Sequence, residues 1–162
     1  MDTQGPENSS IRSAVGLFSV RPAEAADIES LAGLMTELGY PTRVAEMEMR
    51  LEPISKNPAY RTFVAVSRGS VCGMIGTCCW DSYEHNSPSG RIIALVVSEK
   101  MRGRGVGRAL VQAAETDFAE RNIKRIAVNT RFEREQAHMF YEQMGYRKNG
   151  FRLVKELETL AD

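Results

Sequence analysis

Leu95-Val96-Val97-Ser98-Glu99-Lys100-Met101-Arg102-Gly103-Arg104-Gly105-Val106-Gly107-Arg108-Ala109-Leu110 is the stretch that decides how this chain folds. An apolar run rich in β-branched residues, preceded by Ile92 and Ile93, gives way to a basic segment with three alternating glycines, and a helical period starts at Val106. The order is strand, turn, helix. Backbone N–H groups in the first turn of a helix lack partners inside it, and the aligned peptide dipoles place partial positive charge there. Gly103, Gly105 and Gly107 let an oxyanion approach the main chain, while Arg102, Arg104 and Arg108 add charged donors. The segment predicts a phosphate site.

Two familiar glycine motifs fail here. A dinucleotide fingerprint needs Gly or Ala at its last position, which is Arg108 when counted from Gly103 and Leu110 when counted from Gly105. A triphosphate loop needs Gly-Lys followed by Ser or Thr, and the segment contains neither.

At 162 residues the chain fits one domain, read as 15–162 behind a loose, polar arm from Met1 to about Ala14. Lys plus Arg and Asp plus Glu both total 21, so no global field favours nucleic acid or an anionic membrane. An anion site must therefore be local. No run is long enough to span a membrane and the start lacks the parts of a signal peptide, which reads as a cytoplasmic protein. The three cysteines, Cys72, Cys78 and Cys79, lack metal or redox spacing and read as reduced strand residues. No metal is expected, and His138 has no partner at ligand spacing.

Outward from the opening stretch, Leu17 to Arg21 reads as a first strand, with Pro22 in a first helical turn. Ile28, Leu31, Ala32, Met35 and Leu38 recur at helical spacing before Gly39, and Thr42 is placed to cap a shorter helix that ends before Pro53. Thr62 to Val66 and Val71 to Trp80 flank Ser67-Arg68-Gly69-Ser70, a hairpin signal, and Gly73 and Gly76 imply a bulge or a close neighbour. Asp81 to Gly90 is a loop. After the glycine segment come a helix from Val106 to about Glu120, a parallel strand over Ile123 to Val128, a helix bearing Ala137, Phe140, Tyr141 and Met144 that stops at Gly145, and a closing strand over Phe151 to Leu157. The fold class is α/β (α+β), a mixed, mostly antiparallel sheet with a central parallel pair, flanked by about four helices.

Arg102-Gly103-Arg104-Gly105-Val106-Gly107 resembles the acyl-CoA pyrophosphate loop of the GNAT superfamily, the Gcn5-related N-acetyltransferases, written Arg/Gln-x-x-Gly-x-Gly/Ala. Ala137-His138-Met139-Phe140-Tyr141-Glu142-Gln143-Met144-Gly145-Tyr146 is similar to the family's late helix, Ala-x-x-Phe-Tyr-Glu-x-x-Gly-Phe/Tyr. The likeness runs from about Phe18 to Leu157, and its details look most like members that acetylate small molecules such as aminoalkylphosphonates or aminoglycosides.

The resemblance implies acetyl-CoA as acyl donor, a small-molecule amine as acceptor and direct transfer without a covalent enzyme intermediate. It implies a gap between the strand at Leu95, Val96 and Val97 and the strand ending near Asn129, in which the pantetheine arm pairs like an added strand. Backbone N–H groups around Val96 and Val97 would hold the acetyl carbonyl. Tyr141 matches the family's general acid for the departing thiolate. Asn129 joins the cofactor set, and Arg134, standing where many relatives have Asn, could reach a phosphate. The convenient positions for a carboxylate base, Arg91 and Ala94, hold none, which leaves Glu84, with His85 and Asp81, as candidates in the preceding loop. A homodimer is common in that family, with Cys78-Cys79-Trp80 or the final strand as contact. The lost base also motivates an alternative, a non-catalytic acyl-CoA sensor. A nucleic-acid-binding domain is disfavoured by the zero net charge.

Overall fold

Strands rich in Val, Ile and Thr, punctuated by Gly and Pro turns, build the sheet in a computed structural model that describes residues 11–12, 16–131 and 133–157. The chain divides into two compact units, Met1–Val128 and Asn129–Asp162. The first holds β1 (Ile11–Arg12), β2 (Ser19–Pro22), α1 (Ile28–Leu38), α2 (Val44–Lys56), β3 (Tyr60–Ser67), β4 (Ser70–Trp80), β5 (Ser89–Val97), α3 (Val106–Glu120) and β6 (Arg125–Val128). The second holds α4 (Glu135–Gln143).

The described sheet has spatial order β1-β2-β3-β4-β5-β6, with every neighbour antiparallel except the parallel pair β5 and β6. That pair follows from the chain crossing through α3, because only a crossover returns the chain in the same direction. The β3–β4 hairpin closes through Arg68 at φ 50° and Gly69 at φ 78°, the two positive angles of a turn whose twist matches its strands. Leu31, Leu34 and Met47 of α1 and α2 pack on Val64, Met74 and Val96 on one face of the sheet. On the other face α3 is so close that a Cβ at Gly73 would lie 3.1 Å from Leu110, and one at Gly90 would lie 2.7 Å from Phe118.

A buried ion pair pins the entry to α1. Arg21 Nη1 and Nη2 donate to the two oxygens of Asp27 at 2.7 and 2.9 Å, and Asp27 Oδ2 also accepts from the Glu24 amide at 2.8 Å. The arginine's hydrogen bonds hold the Asp27 carboxyl below its ordinary value of 3.8, against the opposing effect of burial. A depressed folded-state value means stability that is present above 3.8 and lost as pH falls through the folded value. Asp27→Asn should therefore cost about 1–3 kcal/mol at pH 7 and progressively less toward pH 2, read by urea unfolding across that range. A cost that does not change with pH would refute the assignment.

Five features differ from the sequence reading. Pro22 is the last residue of β2 rather than part of a helical turn, since a proline needs no ladder donor at a strand end. Thr42 does not cap α2. Arg43 is the N-cap, in a reciprocal box with Glu46, and the Thr42 hydroxyl turns to Tyr40 O and Arg50 instead. The helix α2 continues through Pro53 to Lys56, because the carbonyl that loses its donor belongs to Met49 on the exposed side, where water can serve it. Phe151–Leu157 forms no strand, and Phe151, Leu153, Val154 and Leu157 are all exposed. Alternation alone does not supply a partner edge, so the parallel pair lies at the rim of the described sheet and not at its centre. Of the arm read over 1–14, Ile11–Arg12 pairs with β2 and the rest lies outside the described residues.

Candidate active site

The glycine segment starts where β5 ends. Ser98 N–H donates to Cys72 O at 2.8 Å, Glu99–Met101 makes one tight turn, and Arg102 Nε reaches back to Val97 O at 3.0 Å. Gly103 and Gly105 then take φ 72° and 83°, conformations that side chains resist. A Cβ at either would meet nothing within 4 Å, so the main chain there is open to a ligand on the outside. Val106 is buried and fixes the first turn of α3. The first bond of the helix runs from Ala109 N–H to Gly105 O at 3.0 Å, which leaves the amides of Val106, Gly107 and Arg108 without helical acceptors. Arg104 and Arg108 are exposed beside them. Open glycine backbone, free amides and loose cations form a donor set that fits a pyrophosphate.

The strand leading into this turn is irregular. Gly76 pairs with Ala94 and Thr77 with Ile92, so Ile93 is one residue too many in β5 and forms a bulge. β6 pairs with β5 only over Ser89–Ile92, and its last residue is Val128. Beyond the bulge, β5 from Ile93 to Val97 has β4 on one side and no strand on the other among the described residues. On that open side the Val97 carbonyl accepts from Arg102, and the other backbone groups of Leu95 to Val97 that point away from β4 have no strand partner there.

The bulge also turns Ile93 and Ala94 toward α1 and α2, where they line a cleft. An inner cavity of 140 Å³ adjoins an open one of 430 Å³, and both touch Met35, Arg50, Ile93 and Ala94. Among the described residues no Asp, Glu or His lines either. Arg61 borders the inner cavity but is drawn to the α3 face, with Nε 3.6 Å from Asp117 and Nη1 on two carbonyls. Arg91 lies over the Trp80 ring at 5.0 Å, and its buried Nε has no hydrogen-bond partner. Burial pushes the Cys72 and Cys78 thiols up, with Arg91 partly opposing this at Cys78, so both stay protonated as core residues do.

The loop candidates sit elsewhere. Asp81 and Glu84 are exposed, Glu84 and His85 amides bond Ser82 Oγ, and the His85 ring contacts Arg125 at the start of β6. From Ser89 to Ala94 is roughly 16 Å of strand, so this end of β5 is not brought to the cleft.

In the second unit Asn129 is exposed, and Arg134 is the exposed N-cap of α4, its amide on Arg131 O. His138 faces the Arg131 carbonyl at 2.9 Å. Tyr141 is only 7% exposed and sits edge-on between Phe140 and Tyr146, at centroid distances of 5.1 and 5.4 Å. Burial pushes its hydroxyl up to about 12, so it holds its proton throughout the neutral range. Sequence reasoning expects the residues that choose the acceptor in the segments Leu38 to Pro53 and Asp81 to Gly90; the first contains Arg50 and much of the cleft lining, but the sequence does not single Arg50 out. The available signal was Gly76, which stands opposite the bulge, although a Cβ there would meet Ile93 and Ala94 only at ordinary contact distances of 3.6 and 3.7 Å.

The family model described as the acetyltransferase (GNAT) family matches residues 28–146. The chain is 33% identical over 104 residues to the aminoalkylphosphonate N-acetyltransferase of Salmonella typhimurium, covering 64% of this chain and 66% of that protein. It is 28% identical over 85 residues to the N-alpha-acetyltransferase 30 of Schizosaccharomyces pombe, covering 52% and 56%. These matches thus span less than two thirds of each relative's length. A GNAT family acetyltransferase structure from Staphylococcus aureus superposes with TM-score 0.75 at 26% identity, covering 86% of this chain and 98% of that one.

Proposed function

Because the chain belongs to the acetyltransferase (GNAT) family, we propose that it moves an acetyl group from acetyl-CoA to the primary amine of a small molecule by direct attack. The observation that carries this reading is the half-paired end of β5, which leads through the tight turn Glu99–Met101 into the open glycine turn at the start of α3. Acetyl-CoA supplies an activated acyl thioester. The amides of Val106, Gly107 and Arg108, with Arg102, Arg104 and Arg108, bind the pyrophosphate, helped by Arg134 and Asn129. Free backbone groups of Leu95, Val96 and Val97 orient the pantetheine arm, and amides at Val96 and Val97 stabilise negative charge on the acyl oxygen. A C–N bond forms as the C–S bond breaks. Tyr141 gives its proton to the departing sulfur, and the amine's proton passes to water, since the cleft lining contains no carboxylate.

Support for a small acceptor comes from the largely apolar inner cavity of 140 Å³ and from the name of the Salmonella relative. The test is release of free thiol from acetyl-CoA when the purified protein meets a panel of aminophosphonates, amino acids, diamines, aminoglycosides and peptides. Thiol release with at least one small amine, and none with peptides, is the expected result. Tight acetyl-CoA binding with no release across the panel would instead favour the non-catalytic sensor, the reading to which the acid-free cleft also points.

A further inference from the structure

In the cleft, one charge stands out. Arg50 projects from α2 to the wall that the two cavities share, opposite Ile93 and Ala94 of the bulge. Its Nη1 donates to Thr42 Oγ1 at 2.9 Å, and Thr42 is itself fixed by its hydroxyl on Tyr40 O at 2.6 Å and by its amide on Thr36 Oγ1 at 3.1 Å. The exposed guanidinium is thus tethered at the rim of the cleft. Glu46, one turn back on α2, feels the Arg50 charge but is bonded to Arg43, accepting from Arg43 Nη2 at 3.1 Å and from the Arg43 amide at 2.8 Å. The other arginine at the inner cavity, Arg61, is held by Asp117 on the opposite face of the sheet.

An arginine held by a neutral hydroxyl and in no ion pair among the described residues, at the mouth of an apolar cavity, has donors arranged for a planar or tetrahedral oxyanion. Apolar walls at Met35, Met47, Leu51 and Met74 lower the local dielectric and strengthen such a contact. We infer that Arg50 recognises an anionic group on the acceptor, so that the amines used here carry a phosphonate, phosphate or carboxylate besides the reacting nitrogen. The inference rests on the acceptor binding in this cleft, as the acetyltransferase reading requires.

Calorimetric binding to the CoA-saturated protein tests it independently of turnover, with 2-aminoethylphosphonate, 3-aminopropanoate and propylamine as probes of similar length. Both anionic amines should bind on the order of tenfold or more tighter than propylamine, the phosphonate more tightly if a dianion is preferred. Arg50→Ala should erase that difference and leave propylamine unchanged, while Arg50→Lys keeps part of it. Equal binding of all three probes, absence of binding by both anions, or an equal loss for all probes in Arg50→Ala overturns the inference. Thiol release then separates the two readings. Arg50-dependent binding without release removes acetyl transfer alone, whereas equal release with charged and neutral amines removes the role of Arg50 alone.

Discussion

Tyr141→Phe is expected to lower kcat on the order of a hundredfold while leaving acetyl-CoA affinity and the fold nearly unchanged. The ring contacts with Phe140 and Tyr146 involve the aromatic faces and edges, which phenylalanine retains, so the substitution removes the hydroxyl alone. Without a proton donor the departing sulfur leaves as a thiolate, and the barrier rises by the lost proton transfer. An unchanged kcat in the variant removes Tyr141 from this role. The raised value also has a signature in stability. An unfolded tyrosine releases its proton at about 10, whereas Tyr141 in the folded chain holds it up to about 12, so its contribution is complete below 10 and is lost as pH rises from 10 to 12. The loss amounts to about 2–3 kcal/mol for a fully buried hydroxyl, and the Phe variant should lack that part of the alkaline decline.

The second large effect is on folding. Gly90→Ala should destabilise the protein by about 2–3 kcal/mol and Gly90→Val by more, measured by chemical denaturation. A Cβ at this position would stand 2.7, 2.9 and 3.0 Å from three carbons of the Phe118 ring, which is itself completely buried. The backbone has no room to retreat, because Gly90 is paired on both sides, with Cys79 in β4 and Ile126 in β6. Combining Gly90→Ala with Phe118→Leu should recover part of the loss, as coupled neighbours do. Gly33 supplies the opposite sign: it lies exposed in α1 with nothing within 4 Å of a Cβ, so Gly33→Ala should stabilise by about 0.5–1 kcal/mol. If Gly90→Ala were as mild as Gly33→Ala, the close approach of α3 to β5 would be wrong.

Local chemistry made much of this fold legible. Gly39 and Gly145 end their helices in the left-handed conformation, Arg68-Gly69 makes the hairpin, and the strand-glycine-helix order at Val97 to Val106 is as the spacing predicts. What escaped depends on partners distant in the chain. Phe151–Leu157 has a strand's composition, yet pairing is a property of two segments and cannot be read from one. Thr42 has the chemistry of a helix cap, but Arg50, about two turns further along α2, competes for its hydroxyl. The same distance hid the cleft, since Arg50, Met35 and Ile93 converge only after α1 and α2 fold onto the sheet. The glycine segment was easier because its ligand-facing atoms are main-chain atoms of consecutive residues.

The extra residue in β5 has a consequence for the cleft wall. Before Ile93 the odd-numbered positions look toward α1 and α2, and from Ala94 onward the even-numbered ones do, so the strand is two ribbons of opposite phase spliced at one point. Removing the extra residue would leave Leu95, Val96 and Val97 on the faces they hold now, because their partners Ile75, Met74 and Gly73 in β4 are unchanged. It would reduce the doubled wall of Ile93 and Ala94 to a single side chain. The faces of β5 beyond the bulge are therefore set by its pairing with β4, and the width of the cleft wall by one inserted residue.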